Sequence, residues 1–573
     1  MTTYYIDNNA TYAANHANDG SASLPWGGAG GLQRAFGRVA PGETINIKAG
    51  TTVAASTVIR VVCTGTQVGA FAVDDYVYCY EFNVTPQAAE ASGGQGYILA
   101  ESPAKTFYIS VAAGTWVTGA AHCITNIGKT VYIEAITVGK PGLTPLVDGT
   151  LAGGRITITG CNSSWAVDGT RVVLSGTDCT TVIAAGASAY YDYRWLTCSG
   201  SSSHGLNSSS GTSNAYDCIV TNCGSAGLYI TGVRCQISLC SFGTYTALYD
   251  SIVKGCSTMA CTTAMTLQRC VICGNTAGVD VPSYANLQLF GCVIDGNLNT
   301  GITIASTGGI ISRVMFSRIS NNGDSAGEYG LSVDTAAHGV AVLEDYNVFF
   351  NNGTDGAQHR NNVAAGPNSV TATTNAQLGY ADVKYTFSYD GGDEDKTLAV
   401  GEDIVNRSDG TTVRGVVTAQ TEVGAGATGT CTINAMQNGV IANNQGLEGA
   451  TSGKHIDVNG TFSVAASPNY NITNPSAVLR RTAISLDGVN VIYATAGLTP
   501  AALPPPAGEV VLNGTAYEGA TGAVAASGTR TDAAVADVKA GVKYGDPGSQ
   551  LTGEYAGGGG GVGVRYGGAL RGA

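Results

Sequence analysis

A degenerate three-residue motif recurs seven times between Asp217 and Gly353, and no other feature restricts the fold as strongly. A small or polarizable residue is followed by any residue and then by Ile or Val. The copies are Cys218-Ile219-Val220, Cys235-Gln236-Ile237, Ser251-Ile252-Val253, Cys270-Val271-Ile272, Cys292-Val293-Ile294, Ser317-Arg318-Ile319 and Tyr346-Asn347-Val348. Their starts are 17, 16, 19, 22, 25 and 29 residues apart. A fixed motif at a slowly growing interval marks a solenoid whose turns differ in loop length. Each copy alternates in, out, in, which is strand periodicity. One short strand per turn predicts a parallel β-helix.

Gly- or Asn-bearing turns follow most copies: Asn222-Cys223-Gly224, Gly255, Gly274-Asn275, Asp295-Gly296-Asn297, Asn321-Asn322-Gly323 and Asn351-Asn352-Gly353. Gly and Asn tolerate the left-handed backbone of a sharp corner, and stacked Asn side chains can hydrogen-bond along the column as a ladder. Ten of the 16 cysteines lie between Cys198 and Cys292. Cys218, Cys235, Cys270 and Cys292 share one column; Cys223, Cys240 and Cys256 each sit five residues after a start. Cys packs as a small buried hydrophobe. The pattern favours buried thiols over disulfides or a metal site, because no CxxC pair has a matching pair or His at finger spacing. Buried thiols fit assembly in a reducing compartment.

The residue before each start should point outward. On four consecutive coils it is Asp217, Arg234, Asp250 and Arg269. With strands about 4.8 Å apart, these alternating charges predict a surface ladder. Such a ladder is either mutual charge satisfaction on a solvated face or one wall of a glycan groove.

Composition narrows the classes. Charged residues make up only 12%, with 81 Gly, which suits turns and strands. A net charge of −13 without a basic run argues against a nucleic-acid surface. No apolar stretch approaches the roughly 20 residues of a membrane span. The opening Met1-Thr2-Thr3-Tyr4-Tyr5-Ile6-Asp7 lacks the basic and apolar regions of a secretory signal, so synthesis in the cytoplasm is expected.

Residues 1–50 combine a strand at Thr3–Asp7, a turn at Asn18-Asp19-Gly20, Pro25-Trp26, a short helix near Gly31–Val39 with Leu32, Ala35, Phe36 and Val39 on one face, and Pro41-Gly42-Glu43-Thr44-Ile45. This succession resembles the N-terminal cap of right-handed parallel β-helix proteins of the pectate-lyase-like kind, departing from it at the Gly27–Gly31 run and at Glu43. The resemblance implies a fold and not a chemistry.

The expected class is all-β: a right-handed parallel β-helix solenoid with antiparallel β modules and a Gly-rich C-terminal segment. After the cap at 1–50, residues 51–130 read as early coils with an inserted β subdomain. Coils resume near Thr130–Ile136 and fill 131–365. Residues 366–498 read as a β-sandwich-like module. Its acidic run, Asp390 to Lys396, fits a solvated loop better than a calcium loop. A Pro linker spans 499–507. Residues 508–573 are a Gly-rich attachment or oligomerisation segment, in which Asp537–Gly545 and Leu551-Thr552-Gly553 resemble a C-terminal motif of phage structural proteins and some bacterial surface proteins.

An active site would rest on carboxylates from neighbouring coils, because glycoside hydrolysis needs a pair roughly 5–9.5 Å apart. Asp295, Glu344 and Asp345 are the catalytic candidates, with Asp334, His338, Arg313 and Arg318 nearby; the alternative is solvated turn carboxylates. No HExxH, nucleophile elbow or phosphate loop occurs, and no cofactor or metal is expected. Three functions remain. The first is a structural virion protein of a phage or phage-like particle, a spike, tail fibre or capsid appendage. It would be assembled in the host cytoplasm with other virion proteins as a homotrimer, and would hold a host surface polysaccharide. The alternatives are a polysaccharide lyase or hydrolase, and an extracellular bacterial adhesin.

Overall fold

A computed structural model describes residues 2–464, apart from 65–70, 82–93, 103–104, 121, 127–128, 133–134, 187–189, 209–211, 245–246, 261–263, 283–284, 306–310, 374–379, 382 and 425–426. Beyond these it describes the strands Asn471–Ile472, Thr482–Leu486, Val491–Ala494, Lys543–Tyr544 and Leu551–Thr552. The chain forms two units, Met1–Leu498 and Thr499–Ala573.

The first unit is built on a parallel β-helix. Each coil contributes a strand to a twelve-stranded sheet, turns a corner, contributes a strand to an eleven-stranded sheet, and crosses a third side made of four- and five-stranded sheets. One coil, for example, runs through Ala264–Gln268, Val271–Cys273 and Val279–Val281. The repeat motif lies on the eleven-stranded sheet. Its third residue is the inward one: Val220, Ile237, Val253, Ile272, Ile294 and Ile319 stack in register and are fully buried.

Register corrects the last copy. Val348 pairs with Arg318, so the start opposite Ser317 is Asn347 and not Tyr346. The Asn347 side-chain oxygen accepts from the Ser317 amide at 2.9 Å, a bond that Tyr346 could not supply from the corner. Ser251 and Ser317 receive the amides of Cys235 and Cys292 in the same way, at 2.9 and 3.1 Å. Polar members of this column therefore tie successive coils together.

Five residues after each start, a second interior column runs Cys223, Cys240, Cys256, Asn275, Asn297, Asn322, Asn352. In its Asn half each Nδ2 donates to the next Oδ1: Asn275 to Asn297 at 3.0 Å, Asn297 to Asn322 at 2.8 Å and Asn322 to Asn352 at 3.0 Å. Each also donates to a main-chain carbonyl of the preceding coil, as Asn322 does to Ile294 at 3.0 Å. Satisfied in this way, all four amides sit fully buried. Fourteen cysteines, from Cys63 to Cys431, are buried thiols outside any disulfide.

In the first 50 residues the helix begins and ends three residues before the expected Gly31–Val39. Strand Thr3–Asp7 pairs in parallel with Thr44–Lys48, and helix Gly28–Phe36 buries Leu32, Ala35 and Phe36 over the end of the coils. Gly31 belongs there because a Cβ would meet Trp26 at 2.7 Å. Coils do not resume near Thr130. Strands Lys129–Tyr132 and Ala135–Gly139 belong to an eight-stranded antiparallel sheet that begins at Val58–Thr64. The coil strand Thr44–Lys48 pairs directly with Ile156–Cys161, so this sheet is an insertion between adjacent coils.

The module after 366 is a closed barrel and not a sandwich. Its strands are Lys384–Asp390, Asp403–Asn406, Val413–Val423, Thr428–Asn434, Gly446–Gly449 and His455–Val464. Register shifts at Thr386/Ser388, Ile404/Val405 and Val417/Ala419 bend the strands enough to close it. The barrel packs Tyr385, Phe387 and Phe462 in one cluster with Ile252, Val271, Cys273 and Val293 of the eleven-stranded sheet. Gly296, at φ +62°, stands under it: a Cβ would meet Val464 at 2.8 Å.

In the second unit, Lys543–Tyr544 and Leu551–Thr552 pair as an antiparallel hairpin. The Pro linker and the Gly557–Gly561 run lie outside the described residues.

Candidate functional site

The corner between the two long sheets places the charge ladder. Asp217, Arg234, Asp250 and Arg269 each hold a left-handed backbone, φ 53–56°, on consecutive coils. Non-Gly residues rarely adopt this region, and the turn geometry imposes it at one position per coil. The ladder closes as two bidentate pairs. Arg234 reaches Asp217 through Nε at 2.8 Å and Nη2 at 2.7 Å. Arg269 reaches Asp250 at 2.5 and 3.0 Å. The carboxylates lie beneath, Asp217 with 9% of its side chain exposed, and the guanidinium planes lie outside, Arg234 with 44% exposed.

The ladder borders the outer face of the twelve-stranded sheet. Strand alternation turns Arg194, Tyr216, Val233, Tyr249, Gln268 and Phe290 outward in one column, and Thr157, Asp192, Asn214 and Gln288 outward in another. Asp192 is the centre of this face, buried at 8% exposure beneath the groups that surround it. It accepts from Asn214 Nδ2 at 3.1 Å and lies 3.6 Å from Arg155 Nη1 and 3.4 Å from Arg194 Nη2. Guanidinium groups cover neighbouring rings: Arg194 over Tyr216 at 4.8 Å, Arg155 over Tyr190 at 5.5 Å and Arg171 over Trp195 at 5.4 Å. Burial, reinforced by the Asp192 charge, raises the Tyr216 phenol above its ordinary pKa, so it stays a neutral hydrogen-bonding ring. The face thus presents planar groups, amides and charges at intervals of about one strand spacing.

The catalytic candidates do not meet on it. Asp295 is fully buried on the eleven-stranded sheet, accepting from Ser320 Oγ at 2.7 Å, Asn321 Nδ2 at 2.8 Å and the barrel's Tyr385 hydroxyl at 2.6 Å. Glu344 takes an inward position on Val342–Asp345, opposite Val314. There it accepts from Asn347 Nδ2 at 2.9 Å, Gly366 N at 2.6 Å and Ser369 Oγ at 2.5 Å, and pairs with Arg360 at 3.2 Å, so it closes the final coil. Asp345 holds Asn368 through its main-chain and side-chain nitrogens at 2.8 and 3.0 Å. All three carboxylates are engaged in structure. Asp334 pairs with His338 at 2.6 Å on an exposed turn, Arg313 donates to Gln288 at 3.2 Å, and Arg318 is buried.

Sequence reasoning missed Asp192, Arg155, Arg194 and Tyr216. The available signal was the outward parity of Asp192 and Arg194 on one strand. In the barrel, Asp393 of the acidic run accepts from the His455 amide at 3.1 Å and pairs with Lys396 at 3.5 Å.

A cleft of about 890 Å³ follows the next corner, between the eleven-stranded sheet and the third side. Its lining includes Ser202, Ser241, Ser257 and Thr276, the thiols Cys223, Cys240 and Cys256, and Phe462 of the barrel.

Coils, cap and sheet order define the class of this unit as a parallel β-helix. No family model and no curated protein matches the chain. Among solved structures it is similar to a pectate lyase, at 11% identity over 65% of this chain and 82% of that one, with a TM-score of 0.35. It is also similar to the A-module of an Azotobacter vinelandii mannuronan C-5 epimerase, at 13% identity over 40% and 85% with a TM-score of 0.21. A third similarity is to the tailspike protein of Pseudomonas phage LKA1, at 10% identity over 81% and 87% with a TM-score of 0.14.

Proposed function

We propose that this chain is a glycan-binding rod of a phage-like particle, and that the outer face of the twelve-stranded sheet holds the polysaccharide. The observation that carries this reading is the lattice around Asp192. Two guanidinium-backed rings, Tyr190 and Trp195, flank one coil strand and a third, Tyr216, stands on the next coil beside the outward amide of Asn214, a spread of planar and hydrogen-bonding groups suited to a chain of hydroxylated rings. Side chains held on strands are precise platforms, and stacking of the Arg groups on Tyr216 and Trp195 limits the freedom lost on binding. The virion setting rests on the reduced, buried thiols and on the C-terminal likeness to phage structural proteins.

Binding to an array of bacterial surface polysaccharides tests the site. Tyr216→Ala and Trp195→Ala should each weaken binding about fivefold, from the loss of roughly 1 kcal/mol of ring contact. Unchanged affinity in both would refute the face as the platform. Native mass by light scattering, with detection of the chain in purified particles, tests the trimeric virion setting separately.

A further inference from the structure

The corner that leads from the eleven-stranded sheet to the third side carries one left-handed residue per coil. Asn222, Gly255 and Gly274 take that position at φ 55–60°, where Asn and Gly are at ease. On the coil between the first two it is Leu239, at φ +53° and with 64% of its surface exposed. A leucine is strained there and gains little from burial. Strain held at an exposed apolar side chain points to contact with a ligand.

Leu239 lines the cleft of about 890 Å³, and two residues after each corner a column of hydroxyls lines it as well: Ser202, Ser241, Ser257 and Thr276. Ser202 Oγ donates to Cys179 O at 3.1 Å and Ser241 Oγ to Gly224 O at 2.6 Å, so both keep acceptor positions open. Ser257 and Thr276 are exposed, and among the described residues their hydroxyls meet no partner. The next residue in the column is Leu298, where the barrel's Thr461, Phe462 and Ser463 form the wall.

These features select the ligand class. Asp178 is the one charged side chain among the described lining residues, so an ionic ligand finds little counter-charge. An extended peptide binds by adding to an edge strand, and a left-handed corner interrupts the row of amides it would need. A neutral sugar chain suits both surfaces: its hydroxyls give and accept, and its C–H faces pack on leucine. The cleft falls within the range of about 300–1,000 Å³ for small-ligand sites, and hydroxyls on adjacent coils recur at about 4.8 Å.

We propose that this cleft is a second glycan site, which takes a neutral oligosaccharide lengthwise along Ser241, Ser257 and Thr276 with a ring packed on Leu239. It lies across the coil from the twelve-stranded sheet and does not depend on binding there.

The test is calorimetric titration of the full chain with neutral hexasaccharides of glucose, mannose and galactose, in α- and β-linked forms. The parent should bind at least one of them. Leu239→Gly should weaken that binding about fivefold, through lost apolar contact. Its melting temperature should hold or rise, because glycine relieves the corner. A leucine kept only for folding would give the reverse, a lower melting temperature with binding intact. Ser257→Ala should weaken binding about threefold, through one lost hydrogen bond. Binding of no hexasaccharide by the parent, or parent-like affinity in Leu239→Gly, would overturn the site. Should Leu239→Gly melt lower, Ser257→Ala decides: weakened binding supports the cleft, and parent-like binding refutes it.

Discussion

The two long sheets are made by the same coils, yet their outer faces have opposite fates. On the twelve-stranded sheet the outward column runs Arg194, Tyr216, Val233, Tyr249, Gln268 and Phe290, mostly polar or ring side chains and all at least partly exposed. On the eleven-stranded sheet the outward middle residues of the motif become Ile252, Val271 and Val293, and the barrel buries them. The lesson is that in a solenoid, inward residues specify the coil while outward residues specify what covers it. An apolar outward run marks a docked module; a run of rings and charges marks a surface left for solvent or ligand.

The contrast breaks most directly with a charge on each face of one coil. Val271→Asp should destabilise by about 3 kcal/mol or more, since it buries an unpaired carboxylate against the barrel. Thr266→Asp, outward on the other sheet, should stay within about 0.5 kcal/mol. Thermal melts of the two variants check this, and an equally damaging Thr266→Asp would mean that the open face is covered in solution. Asp295→Ala comes next, at about 2–3 kcal/mol, because it strands the Ser320, Asn321 and Tyr385 donors at the same interface. Urea denaturation followed by barrel tyrosine fluorescence should show the loss. Smallest is Asp217→Arg at the edge of the open face, where like charge facing Arg234 should cost about 0.5–1 kcal/mol at low salt and little at 1 M. A melt indifferent to salt would remove the ladder from the account.

Much of this was legible in the sequence because stacking repeats the same demand every coil. The start column, the Asn ladder and the outward ladder of Asp217, Arg234, Asp250 and Arg269 all followed from one interval. The last copy slipped by one residue because Tyr346 stands at the left-handed corner just before Asn347, φ +57°, and imitates a start. The insertion and the closed barrel were misread in extent and shape because antiparallel strands carry no interval, and closure depends on bulges that leave no pattern. Arg194 is two residues from Asp192, but Asn214 lies 22 and Arg155 37 positions from it, and Arg155 also reaches the carbonyl of Thr212, 57 positions on. Only stacking brings them together. Even so, the middle position of the motif, read as free to vary, held the docking signal at Ile252, Val271 and Val293.

The change from sulfur to amide in one column also bears on how such a rod can grow. Every Asn in its half both gives and receives, so a coil inserted or deleted there interrupts a continuous chain of bonds. The thiol half meets the Asn ladder at one amide, Cys256 N donating to Asn275 Oδ1 at 2.9 Å, and its coils are the shortest of the seven copies, 16 to 19 residues between starts. Duplication of a single coil is therefore tolerated best between Cys218 and Cys270. The length of the rod is adjustable in its middle coils and fixed along the Asn ladder that follows.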